Sequence, residues 1–376
     1  MRLKGIFRLL ILVLTLGSSL VFGGESQSAS RIKKLDARIE ELKKDGHFPG
    51  VALAVMRKGK PVHIGTYGLA DISNNVSVTT QTVFELASLT KQMTALAVMT
   101  LVKEGKLSLE AKLVDYIEEA PVAWGNITID QLLSHKGGLA HRFEQTVDDV
   151  LLLDYTREAM MASAKKTPII AEPGTDWNYS DLGYFLLGSI IETVTKQTYA
   201  EYMQSTFFTP LGMEQTHLLD QRKIVPFLSQ GYAWKEGRLQ RNRRVWQFAL
   251  ASHFGIMSSL HDMMLWEAEL TDPKVINPDA LKGTLVIQRV FDTGKSCDTW
   301  GYARGWQVQV VNKRRILTHG GYAGTAYIRA IDDDLSVIVL TNREDAPDAR
   351  PPISLGWAAA HAAEKTIFAN GYSCWE

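Results

Sequence analysis

The strongest constraint on this chain is where its strand-like and helix-like stretches fall. Val51 to Met56 is a short apolar run, Arg57-Lys58-Gly59-Lys60 reads as a turn, and Pro61 to Leu69 returns as a second strand. Strand character then fades until Trp300. It comes back in Trp306 to Val311, Arg315 to Thr318, Gly324 to Ile331 and Leu335 to Thr341, with Gly and Asp turns between them. The residues between the two ends are mostly helical in pattern. Leu182, Phe185, Leu186, Ile190, Ile191 and Val194 recur at helical spacing, Thr128 to Gln131 has the form of a capping box, and Ser259 to Leu270 is a further short helix. Ile32, Leu35, Ile39 and Leu42 predict an opening helix, and Trp357 to Phe368 a closing one. Strands from both termini would share one antiparallel sheet, flanked by helices, with the helical middle inserted. The fold class is α+β. Residues 28–82 and 295–376 form its α/β part and 83–294 the mainly helical part, with the cleft between them.

Chemistry concentrates in Phe84-Glu85-Leu86-Ala87-Ser88-Leu89-Thr90-Lys91. Leu89, Met93, Leu96, Ala97 and Leu101 predict an amphipathic helix with Ser88 at its start. Lys91, three residues on, lies one turn above Ser88 on the same face. A serine hydroxyl is a weak nucleophile until a neighbour takes its proton. A lysine does so only if its pKa falls by roughly 3 units, at about 4 kcal/mol. The helix start also offers backbone N–H groups to a developing oxyanion. Alone, the pair also fits an N-capping serine followed by a solvated lysine. Two more stretches complete a candidate site: Trp177-Asn178-Tyr179-Ser180-Asp181, before a helix, and Thr318-His319-Gly320-Gly321-Tyr322, at a strand end. Tyr179 near a lysine could deprotonate Ser88 and later protonate the leaving group. Glycines in a strand let a substrate backbone lie close.

Composition removes several classes. The formal net charge is zero, which gives nothing for nucleic acid to recognise, and no body segment reaches membrane-spanning length. Arg2, Lys4 and Arg8 precede an apolar Leu9 to Leu16, and Val21-Phe22-Gly23 offers a cut. Residues 1–23 therefore read as a signal peptide cleaved near Gly23, giving an exported, periplasmic or secreted protein without stable membrane insertion. A retained anchor is the other reading. Cys297 and Cys374 could pair in an exported chain or remain free thiols. His135 and His141 lack further ligands at metal spacing and read as loop or capping residues, so no metal or cofactor is expected. Trp306 reads as core or cleft wall.

Read together, these stretches resemble the serine β-lactamase and D-Ala-D-Ala peptidase superfamily, and more closely its class C β-lactamase-related hydrolases. The likeness runs from about residue 45 to 345. Besides Ser88-x-x-Lys91 it includes Leu132-Leu133-Ser134-His135-Lys136-Gly137-Gly138-Leu139, Glu172-Pro173-Gly174, and Tyr179-Ser180-Asp181. Pro210-Leu211-Gly212-Met213, Gly255-Ile256-Met257-Ser258-Ser259, Gly301-Tyr302-Ala303-Arg304-Gly305-Trp306 and His319-Gly320-Gly321 follow in order.

The resemblance implies the β-lactamase/DD-peptidase-like fold and an acyl-enzyme formed on Ser88. Lys91 and Tyr179 would be the base system, and the N–H groups of Ser88 and Tyr322 the oxyanion hole. The substrate would be a small molecule or peptide, contacted by Asp181, His319, Gly320 and Gly321. His319 stands where lysine is usual, and Asp181 where asparagine is usual. A neutral histidine attracts a carboxylate weakly, and an aspartate beside Lys91 favours its ammonium form. Both departures point to ester, amide or peptide substrates that are neutral or cationic. The alternative is a catalytically weak binding or sensor protein for cell-wall fragments on the same fold.

Overall fold

The structure is a computed structural model describing residues 30, 34–141, 156–220, 223–242, 252–291, 299–311, 313–346 and 349–364. Residues 1–23, Cys297 and Cys374 lie outside the described residues. The main sheet contains, in chain order, β1 (Gly50–Arg57), β2 (Lys60–Asp71), β3 (Val76–Ser77), β4 (Arg289–Phe291), β5 (Thr299–Tyr302), β6 (Gln307–Val311), β7 (Arg314–Gly321), β8 (Thr325–Ala330) and β9 (Leu335–Thr341). Their order across the sheet is β3-β2-β1-β9-β8-β7-β6-β5-β4. The N-terminal hairpin thus docks on the last strand: Val51 pairs with Thr341 and Arg57 with Leu335, antiparallel. A sheet made from both termini is what the strand-like runs at the two ends require.

Both faces of this sheet are covered, which is why β1 and β9 read as unbroken apolar runs. Side chains alternate along a strand. Ala52, Ala54, Met56, Ile338 and Leu340 enter the main core. Val51, Leu53, Val55, Val337 and Val339 enter a second core on the other face, under two terminal helices. Those helices are α1 (34–45) and α5 (Ile353–Ala363), with α2 (Thr90–Lys103), α3 (Asp181–Thr195) and α4 (Leu260–Thr271) on the main-core side. Truncating one of these buried aliphatics would cost about 2–5 kcal/mol.

Four expectations change. First, α2 is not amphipathic: Thr90 to Leu101 are all buried, Lys91 and Gln92 included. It lies in the middle of the molecule, where an all-round buried helix is expected, and several of its polar groups find partners from distant parts of the chain. Trp266 Nε1 donates to Gln92 Oε1 at 3.1 Å, and Thr94 Oγ1 donates to the Ser252 carbonyl at 2.6 Å. Second, Ser88 is one step ahead of α2, on a single 3-10 turn, Ala87–Leu89. Third, the closing helix begins at Ile353, four residues earlier than expected, and ends at Ala363. Fourth, the sheet resumes at β4, ahead of residue 295, and the helical part also holds short strands such as Val83–Glu85 paired with Ile256–Ser259. These strands are too short for periodicity to reveal. Of the described helices, none is long and apolar enough to cross a membrane.

Candidate active site

Three pieces of backbone converge on Ser88. The first is its own turn. Ala87 has φ 48°, a conformation that costs an L-residue roughly 1–2 kcal/mol. It is held by long-range bonds: Leu86 N–H donates to the Ile256 carbonyl at 2.9 Å, and Thr325 Oγ1 donates to the Leu86 carbonyl at 2.8 Å. The second is the end of β7. A Cβ on Gly321 would sit 2.3 Å from the Leu86 carbonyl oxygen, so only glycine lets this strand lie against the serine turn. The third is the turn after β5. Gly305 has φ 82°, and a Cβ there would meet Gln92 Cα at 2.8 Å.

The loop before α3 supplies the remaining groups. Ser180 caps α3: its Oγ accepts from Gly183 N–H at 3.0 Å and donates to the Ala140 carbonyl at 2.8 Å. Tyr179 and Asp181 flank this fixed residue. Asp181 is the first residue of α3, where the helix dipole favours a carboxylate.

Lys91 is fully buried at the centre. Its Nζ donates to Ser88 Oγ at 3.1 Å, to Asp181 Oδ1 at 2.7 Å and to the His253 carbonyl at 2.8 Å. It also lies 4.8 Å from the Tyr179 ring centre. Burial pushes its pKa down, but Asp181 and Tyr179 outweigh burial and hold it above the ordinary lysine value. Burial would likewise raise Asp181, yet Lys91 overrides it and brings the carboxyl down to about 2. Tyr179 is raised, chiefly by burial, while the positive charge of Lys91 pulls it the other way. So the resting site at neutral pH holds an ammonium, a carboxylate and a phenol.

His319 is buried too. Burial, then repulsion from Lys91, lowers its pKa to about 4. Its Nδ1 lies 2.8 Å from the Gly320 carbonyl, which can only accept, so Nδ1 carries the proton and the ring is neutral. The N–H of Ser180 donates to His135 Nδ1 at 3.0 Å, so the other ring nitrogen of His135 carries the proton and donates to the Tyr302 hydroxyl at 3.1 Å. His135 therefore ties the Tyr179 loop to β5. His141 is half-exposed, with Nε2 3.7 Å from Asp181 Oδ2. No cluster of three or more metal-type ligands occurs among the described residues.

A cavity of about 910 Å³ opens onto this cluster, lined by Ser88, Tyr179, Asp181, His319, Gly320 and Tyr322 among others. Lys91 and Gly321 stand just behind its wall. All eight residues named from sequence are thus gathered, the two cysteines excepted. Sequence reasoning missed the His253 carbonyl, which any residue type could supply. It also missed Tyr302, and it left His135 as a loop residue. The position of Tyr302 inside Gly301 to Trp306 was the available signal. Trp306 is in the main core, packed on Tyr327 at 5.4 Å.

Comparison with known proteins bears on the family and the fold. The family model described as Beta-lactamase matches residues 35–361. Penicillin-binding protein 4* of Bacillus subtilis (strain 168) is 26% identical over 368 residues, 90% of this chain and 77% of that protein. Protein flp of Staphylococcus aureus (strain COL) is 28% identical over 305 residues, 77% of this chain but 58% of its own length. The chain therefore spans little more than half of that relative. Among solved structures, the octameric penicillin-binding protein homologue from Pyrococcus abyssi superposes with a TM-score of 0.77 at 21% identity, over 90% of this chain and 78% of its own. EstCE1, described as a hydrolase with promiscuous acyltransferase activity, gives 0.75 at 20% identity over 89% and 99%. These two likenesses show a shared fold, and the family match extends over most of the sequence. The chain belongs to the Beta-lactamase family.

Proposed function

We propose that this protein is a serine hydrolase that acts through an acyl-enzyme on neutral ester, amide or peptide bonds. The observation that carries the reading is the buried Lys91 held between Ser88 Oγ and Asp181, with its Nζ 4.8 Å from the centre of the Tyr179 ring. Ser88 Oγ attacks the carbonyl carbon as its proton passes to Tyr179, whose phenolate is stabilised by the Lys91 ammonium. The N–H groups of Ser88 and Tyr322 receive the oxyanion. Tyr179 then protonates the leaving group, and water releases the acyl group by the same steps in reverse roles. Lys91 and Tyr179 titrate together, so the base role belongs to the pair.

The charges of the cluster disfavour anionic substrates. Lys91 is neutralised by Asp181, and His319 is uncharged at neutral pH. Among the described residues, a penicillin carboxylate finds no uncompensated cation in this cluster. Side-by-side turnover of a neutral ester and a penicillin tests the point: the ester is expected to be faster by at least tenfold, and efficient penicillin hydrolysis would sink the reading. Export is proposed from residues 1–23 alone. N-terminal sequencing of the protein recovered from outside the cytoplasm should begin just after Gly23, and an intact Met1 there would contradict cleavage.

A further inference from the structure

The cavity is larger than one ester bond requires, and it does not stop at the catalytic cluster. Past Gly320 it continues over β6 and β7. Register pairs Gln307 with Thr318 and Gln309 with Ile316. Ile316 belongs to the core under α1 and α5, whereas Val308 and Leu317 point into the main core. Gln307, Gln309 and Thr318 therefore share the face that carries α5, and form a floor of uncharged hydrogen-bonding groups. Leu42, Ile353 and Trp357 give this part of the cavity apolar walls.

Gln309 is the telling residue. It is 2% exposed, and it lines the cavity. Buried carboxamides are almost always hydrogen-bonded. A pure hydrocarbon laid over it would offer it no hydrogen bond, and an amide would offer one. Four residues separate Gly320 from Ile316, the partner of Gln309, which is a reach of about 13 Å at the strand rise.

We propose that this trough is a substrate subsite for an extended, uncharged arm that carries an amide group about 13 Å from the glycine pair. The assignment rests on the hydrolase reading for what the arm is attached to, but binding in the trough can be measured without turnover. In Ser88→Ala protein, two ester ligands are compared that differ only in an amide replacing two methylenes at that distance. Their dissociation constants are read by quenching of tryptophan fluorescence, since Trp177 and Trp357 both line the cavity. The amide-bearing arm is expected to bind about tenfold more tightly, and Gln309→Leu to remove that preference. Equal binding of the two arms in Ser88→Ala protein itself overturns the proposal, whether or not the leucine variant folds. So does a preference that survives Gln309→Leu, or tighter binding of a carboxylate-tipped arm without the amide, which Arg38 and Arg350 in the same lining would favour. Loss of ester turnover by the unsubstituted enzyme would count against the hydrolase reading and leave this comparison intact.

Discussion

Asp181 decides the protonation of the site. With Lys91 and Tyr179 both raised above their ordinary values, the base is almost entirely protonated at pH 7. The rate of ester hydrolysis should therefore climb through the alkaline range, with no plateau at neutral pH. Asp181→Asn removes the carboxylate that favours the ammonium, so its rate profile should shift toward neutral pH. The same change should increase penicillin turnover. A pH–rate series on both proteins checks this, and identical profiles would contradict it. Tyr179→Phe is expected to lower kcat/KM by about 10²–10⁴ without loss of fold. The buried histidines predict the acid side. His319 and His253 titrate near 4 and near 3, chiefly because of burial, below the usual 6.5 of an unfolded chain. The unfolded state then binds more protons between those values. Each group should lower stability by up to about 1.4 kcal/mol per pH unit as pH falls through that window. Asp181, at about 2, adds a further loss below about pH 4. Denaturant midpoints measured from pH 7 to pH 4 should fall progressively, and a flat profile would show that these histidines are not neutral in the fold.

At the scale of elements, the site depends on close approach of backbones. Gly321→Ala would put a methyl group 2.3 Å from the Leu86 carbonyl, so β7 and the serine turn must separate. Overpacking of this kind costs about 1–3 kcal/mol, and a displacement near 1 Å at reacting atoms costs about 10²-fold in rate. The variant should remain folded by circular dichroism while losing about that much activity. Much of this level was legible in advance. The runs at 51–69 and 306–341 gave the sheet because both its faces are buried, whereas the glycine pair, read as room for a substrate backbone, includes Gly321, which is needed for the close approach of the serine turn. What was hidden depends on assembly. The all-round burial of α2 could not be read from a sequence carrying Thr90, Lys91, Gln92 and Thr94, whose partners come from residues far along the chain. The His253 carbonyl is backbone, and leaves no mark in a sequence.

Across the whole molecule, one buried charge network joins helical part and sheet. Glu267 of α4 accepts from Arg329 Nε at 2.7 Å, from Ser336 Oγ at 2.7 Å and from the Tyr327 hydroxyl. Removing it leaves Arg329 buried without its counter-charge. Glu267→Ala should cost about 3–5 kcal/mol and lower the thermal midpoint by on the order of 10 °C, which calorimetry would read. Glu267 makes no hydrogen bond to Ser88, Lys91, Tyr179 or Asp181 among the described residues, so below that midpoint the variant should match the unsubstituted protein in any ester turnover that protein shows. This separation of scaffold from site is what allows the central assignment to be tested alone. The most direct measurement is the intact mass of the protein after exposure to a fluorophosphonate, beside Ser88→Ala. One adduct on the unsubstituted protein and none on the variant is the predicted result, and it makes Ser88 the activated nucleophile. An unlabelled, well-folded protein would contradict the account, because Lys91 and Tyr179 would then not activate the serine they surround.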